Sequence, residues 1–250
     1  MMRNITVGID VGTHQVKVVV AEFVKENNKQ VGHIIGTGLA ESKGLRHGYI
    51  INNDDVVESI KNAIKLAEKT SGIKIRKAFV SVGGIGLSAT TGTASIVISR
   101  ADLQITELDI KKIDEICEEG LSPNSVQNYR ILQSIPMQYK IDGKVVLAKS
   151  PLDMKGTKLE VKMLFVTCLE PHLNSLLEAI DEAGIEIIDC LASPITASFV
   201  TLSKSQKMAG CVLANIGAET LSIVVFENNI PISLEVFPIG STDITNDIAL

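Results

Sequence analysis

Apolar and polar residues alternate from the first few positions of the chain. "NITVGID" reads as a strand, "GTH" as a turn, and "QVKVVVAEFV" as a second strand running into the polar turn "KENNKQ". "GHIIGTGLAES" adds a third strand and completes a meander. The period then changes to a helical one. In "NNDDVVESIKNAIKLAEKTSG" the apolar positions are Val56, Val57, Ile60, Ile64 and Leu66/Ala67. Asp54 and Asp55 suit the positive end of a helix, and Gly72 suits its stop. "KAFVSVGG" follows as a buried strand.

From about Leu87 the pattern changes character. "LSATTGTASIVIS" is strand-like and rich in Thr and Ser, and "TELDIKKIDEICEEG" is a helix with Thr106 and Asp109 placed as a capping box and Gly120 at its end. "YRILQSIPMQYKIDGKVVLA" is extended, with an Asp142-Gly143 turn. Together these predict a compact α+β insert. At "KLEVKMLFVTCL" the first pattern is expected to resume: that strand, a helix "PHLNSLLEAIDEAG", a strand "IEIIDCLA" and a helix "SPITASFVTLS".

A second strand-turn-strand opens at "CVLANIGAETLSIVVFEN", continued by "PISLEVFPIGS". Matching Asn215 to Asp10 puts Gly217 on Gly12 and Ile223-Val224-Val225 on Val18-Val19-Val20. The chain stops in "TDITNDIAL", where Thr242 or Asp243 would cap a helix that barely begins. A sheet left without a covering helix predicts that this second domain is truncated.

Composition narrows the class. The 250 residues suffice for two modest domains, and 45% hydrophobic with 21% charged residues fits a folded globular chain rather than a disordered one. A net charge of −5 without a Lys/Arg block argues against a nucleic-acid partner. No apolar run reaches the length of a bilayer span, and the N-terminus enters a strand without a signal-peptide pattern. Cys117, Cys168, Cys190 and Cys211 lack metal-ligand spacing and are expected to be reduced thiols of a cytosolic protein. No Ser/His/Asp or Cys/His nucleophile arrangement stands out, and Arg76-Lys77 and Lys111-Lys112 read as solvated faces.

The chemistry sits in the two turns. Glycine lets a backbone approach an anion, a hydroxyl and successive N–H groups supply donors, and an acid before the turn can hold hydrated Mg²⁺ through water. Asp10, Gly12, Thr13, His14 and Gln15 provide this set once; Asn215, Gly217, Ala218, Glu219 and Thr220 provide an altered version. One such turn is also what an ordinary hairpin carries. Two of them, a domain apart, could grip one nucleotide from opposite walls of a cleft.

This arrangement resembles the actin-like ATPase superfamily, whose phosphate-1 and phosphate-2 hairpins flank ATP and Mg²⁺. Within it the chain resembles the FtsA family of bacterial cell-division proteins. The residues that carry the resemblance are "GIDVGTHQVKV", "GLRHGYIINNDDVVESIKNAI", "IPMQYKIDG", "VTC" and "FPIGSTDITNDIA". The resemblance implies an α/β actin-like ATPase fold, with a ribonuclease-H-like βββαβαβα domain and an inserted α+β 1C subdomain. Residues 1–83 and 163–205 would form subdomain IA, 84–162 subdomain 1C, and 206–250 the start of an incomplete IIA.

It implies ATP held by Asp10, Gly12, Thr13, His14, Gln15, Asn215, Gly217, Ala218, Glu219 and Thr220, with Mg²⁺ reached from Asp10 through water. It also implies filaments, FtsZ tethering, contacts of 1C with divisome membrane proteins, and attachment to the cytoplasmic face of the inner membrane at the division site. The FtsZ-binding subdomain, the adenosine-binding glycines and the C-terminal membrane helix of the family would lie beyond residue 250.

Several residues depart from the family pattern. Asn215 lacks the charge of the usual acid and Ala218 restricts the turn; Glu219 is expected to point to solvent. Ser193-Pro194 stands where related chaperones and MreB carry Glu-Pro to position the attacking water, so slow or absent hydrolysis is expected. Gln15 replaces a frequent Lys, and Lys17 is expected on the opposite face of its strand. The 250-residue chain by itself is expected to bind ATP weakly or not at all. PilM, a pilus-assembly protein of the same fold, is the alternative family. A sugar kinase would need a catalytic Asp at a substrate cleft, and none stands out.

Overall fold

The computed structural model of the chain describes residues 4–26, 29–122 and 127–249. Residues 27–28, the centre of the expected "KENNKQ" turn, and Leu250 lie outside the described residues.

The opening meander forms as the alternation predicts: β1 (Ile5–Val11), β2 (Gln15–Glu26) and β3 (Lys29–Glu41) pair antiparallel. After the short hairpin β4 (Leu45–Arg46) and β5 (Tyr49–Ile50), helix α1 (Asn53–Ser71) crosses the sheet. Asn52 caps α1 by accepting from the Asp55 N–H, and Gly72 ends it at φ 69°. Its buried stripe, including Val56, Ile60, Ala63 and Ala67, lies on the sheet face formed by Val7, Ile9, Val16, Val18 and Val20. The parallel strands β6 (Lys77–Val82) and β11 (Glu186–Ala192) complete the order β11-β6-β1-β2-β3.

The insert builds a separate four-stranded sheet, β7-β10-β8-β9, from β7 (Leu87–Val97), β8 (Tyr129–Ile141), β9 (Lys144–Val145) and β10 (Lys158–Leu169). Asp142 and Gly143, both at positive φ, make the β8–β9 turn. Helix α2 (Glu107–Glu119) covers one face, its Ile113 and Cys117 sharing a buried cluster with Leu159, Val161, Met163 and Phe165 of the sheet. The "KLEVKMLFVTCL" strand was expected to return the chain to the first sheet. Instead β10 stays in the insert sheet as far as Leu169, so an insert boundary at residue 162 would cut through it. Its apolar run is continuous because both faces are covered. Met163 and Phe165 face α2, while Leu164, Val166 and Cys168 enter the main core.

Helices α3 (Glu170–Glu182), α4 (Ser193–Thr201) and α5 (Lys204–Ala209) lead to the third sheet. This sheet is the antiparallel meander β12 (Cys211–Ile216), β13 (Leu221–Glu227) and β14 (Ile230–Phe237), followed by α6 (Ser241–Ala249). Helix α5 was not expected, although Ser203 and Gln206 form the capping box that marks its start. Its Lys207 is buried, with Nζ 5.0 Å from the Phe199 ring centre and 5.4 Å from that of Phe226. No described helix is long and apolar enough to cross a membrane.

Candidate functional site

The two hairpins share their internal geometry. Gly12 N–H donates to the Gln15 carbonyl at 3.2 Å, and Gly217 N–H donates to the Thr220 carbonyl at 2.8 Å. A Cβ on either glycine would sit 3.1 Å from that same carbonyl oxygen, so both turns are too tight for a larger residue to enter without shifting the backbone. Registers match as well: Asp10 faces Lys17 across the first hairpin, and Asn215 faces Ser222 across the second. The second copy therefore keeps the fold of the turn while replacing an acid–base pair by two neutral residues.

Both turns open into one cleft of about 500 Å³. It is lined by Asp10, Gly12, Thr13, His14 and Gln15 on one wall and by Asn215, Gly217, Ala218 and Thr220 on the other. Hydroxyls are abundant around it, from Ser193 at the start of α4, Ser222 on β13, and Ser241, Thr242 and Thr245 on α6. Helix α6 is tied to the second turn: Ser241 N–H donates to the Gly217 carbonyl at 2.8 Å and Thr242 N–H to that of Ala218 at 2.9 Å. His14 is exposed at its turn, and its carbonyl accepts from Ser42 N–H at 3.0 Å.

Lys17 does not face away from the turn. Directly opposite Asp10, it shares that residue's face of the sheet, with Nζ 3.3 Å from Oδ2, and it lines the cleft. With roughly half the Lys17 side chain exposed, this pair is weak as a stabilising contact. Its interest is local charge: among the described residues that line the cleft, Asp10 and Lys17 are the only carboxylate and ammonium.

Glu219 departs from expectation too, because it points neither to solvent nor into the cleft. Its Oε2 accepts from the His47 backbone N–H at 2.6 Å, and its carbonyl lies 3.1 Å from His47 Nδ1, which must carry the proton to donate. His47 and Gly48 form the β4–β5 turn at φ 49° and 85°, and Gly48 lines the cleft beside Gly83 and Gly84. A Cβ on Gly48 would lie 2.5 Å from the Gly84 Cα, so two backbones meet there where no side chain fits. The sequence reading missed this part of the site. The "HG" and "GG" dipeptides at 47–48 and 83–84 were its only signals.

Residues 86–167 match the family model described as "SHS2 domain inserted in FTSA". The whole chain aligns with cell division protein FtsA of Bacillus subtilis (strain 168), at 33% identity over 250 residues, covering 99% of this chain and 54% of that protein. FtsA of Borreliella burgdorferi is 31% identical over 249 residues, covering all of this chain and 59% of that protein. The chain is FtsA-like. It thus spans a little over half the length of these relatives.

Among solved structures, a PilM-PilN type IV pilus biogenesis complex matches with TM-score 0.64 at 15% identity, covering 98% of this chain and 64% of that one. The ethanolamine utilization protein EutJ from Carboxydothermus hydrogenoformans matches with TM-score 0.50 at 12% identity, covering all of this chain and 57% of that one. At these identities the matches speak for the fold alone. The fold of the FtsA-like chain is the actin-like ATPase fold, with an inserted SHS2 domain.

Proposed function

We propose that this FtsA-like chain forms the phosphate-gripping part of a cell-division protein that takes ATP and Mg²⁺ between its two hairpins. One observation carries the reading: two turns of matching geometry, at opposite ends of a chain with an FtsA-type insert, line the same cleft. Hydroxyls, turn amides and Lys17 suit a polyphosphate. For the cation, Asp10 is the only carboxylate among the described lining residues, and the described residues contain no group of three potential ligands that could cage a metal. That donor set fits a hydrated Mg²⁺ held chiefly through phosphate. Asn215 orients water by hydrogen bonding and adds no charge.

Turnover is expected to be slow. Ser193 lines the cleft and, by likeness to related chaperones, stands where a Glu would orient water; a serine is a poor base for that task. The nucleotide then acts as a switch for assembly. By likeness to FtsA, the complete protein would polymerise, tether FtsZ to the inner membrane and meet later divisome proteins through its insert. A PilM-like role is the second reading, favoured by the match in fold to the PilM-PilN complex. Identity of 33% to an FtsA against 15% to that structure favours the division role. The full-length protein is the material for the test. ATP-dependent pelleting together with binding of the FtsZ C-terminal tail is expected; failure of both would end the reading.

A further inference from the structure

Counting from Asp10 and from Asn215, His14 and Glu219 occupy the same place in the two hairpins. His14 stays exposed in its own turn, whereas Glu219 reaches across to the β4–β5 turn of the first domain. His47 there joins three segments. Its N–H and its Nδ1–H both go to Glu219, and its carbonyl accepts from Ile85 N–H at 3.3 Å in the β6–β7 link. The link and the β4–β5 turn are already pressed together at Gly84 and Gly48, and both of those glycines line the cleft.

We infer that Glu219 and His47 are positioning residues: their paired hydrogen bonds clasp the second hairpin to the first domain and set the distance between the two phosphate-binding walls. The bond to the carboxylate is short and charge-assisted, the stronger kind, and it spans two domains rather than closing a local turn. The clasp also accounts for an acid being tolerated in an anion-binding turn. Its charge is met by the His47 backbone N–H, and neither Glu219 nor His47 lines the cleft. The effect on ligand affinity rests on the nucleotide reading above, whereas the effect on the hairpin does not.

Two variants of the full-length protein separate the possibilities. Glu219→Gln keeps an oxygen that accepts from the His47 N–H, while Glu219→Ala removes it. Amide hydrogen exchange over residues 215–220, without nucleotide, reports the clasp directly. Protection should fall by roughly tenfold or more in Glu219→Ala, the size of one lost charge-assisted hydrogen bond, and should largely persist in Glu219→Gln. Titration with a fluorescent ATP analogue and Mg²⁺ should show the same order, with weakened binding in Glu219→Ala and near-native binding in Glu219→Gln. Unchanged exchange in Glu219→Ala overturns the clasp. So does equally tightened nucleotide binding in both variants, which would mean that the carboxylate merely repels phosphate. A wild-type protein that binds no nucleotide defeats the nucleotide reading alone, and the exchange measurement still decides the clasp.

Discussion

Replacing Gly48 by Ala tests the backbone contact that brings the β4–β5 turn to the cleft. Two costs are expected. A non-glycine residue held in the left-handed region, here φ 85°, costs roughly 1–2 kcal/mol. The added Cβ would sit 2.5 Å from the Gly84 Cα, backbone against backbone, and overpacking of that kind costs about 1–3 kcal/mol. Gly72→Ala supplies the control. Gly72 has φ 69° but nothing within 4 Å of its hypothetical Cβ, so only the first cost applies. Changes to the unfolded chain are similar in the two variants and cancel.

Gly48→Ala should therefore lower the unfolding free energy by roughly 2–5 kcal/mol in total, and by about 1–3 kcal/mol more than Gly72→Ala. Urea unfolding of both variants beside wild type, followed by circular dichroism, measures that difference. A difference below about 0.5 kcal/mol, within the scatter of harmless substitutions, would refute the close contact.

Phe165→Ala, emptying a fully buried site beneath α2, should cost about 3–5 kcal/mol in the same assay. Asp10→Asn should weaken Mg²⁺-dependent nucleotide binding more than Mg²⁺-free binding, measured by titration with and without chelator; equal loss in both would count against a cation near Asp10. His172 should make stability pH-dependent. It donates Nε2–H to the Gly83 carbonyl at 2.8 Å, its Nδ1 is buried without a partner, and burial pushes its pKa below 6.5 despite the Gly83 bond. A proton on Nδ1 would have no acceptor. The folded state therefore binds fewer protons than the unfolded one: the contribution is complete above about pH 6.5 and fades as pH falls through the depressed folded value. His172→Gln should flatten unfolding midpoints between pH 7.5 and 5.5 relative to wild type. Asp109, lowered chiefly by its bond to the Thr106 hydroxyl, titrates below 3.8 and lies outside that window.

What could be read from the sequence depended on how local its cause was. The opening meander, α1 with its Asp54-Asp55 start and Gly72 stop, and the Asp142-Gly143 turn all follow from periodicity, from charge at a helix end or from a residue needed at its own φ. The likeness of the two hairpins was visible because each rests on a glycine and a carbonyl three residues later. Longer-range causes were not visible. "MLFVTC" reads the same whether its second covered face meets helices of a parallel sheet or the main core beneath an antiparallel one. Glu219 has a partner 172 residues away, and no pattern near residue 219 announces it. Lys17 is a different case. Cross-strand register alone places it opposite Asp10: Val11 pairs with Val16 around residues 12–15, and a register one residue shorter would have put Val16 there instead.

Strand β10 has a consequence for how the molecule comes apart. Alternate side chains of one continuous segment complete two hydrophobic interiors, Met163 and Phe165 one of them, Leu164 and Val166 the other. Peeling the insert away would strip the main interior of residues that are otherwise fully enclosed. The inserted segment is therefore not a detachable ornament with its own melting event. Both interiors should be lost in one concerted transition, and the slowest-exchanging amides of the chain should lie along β10, where the two regions of stability overlap.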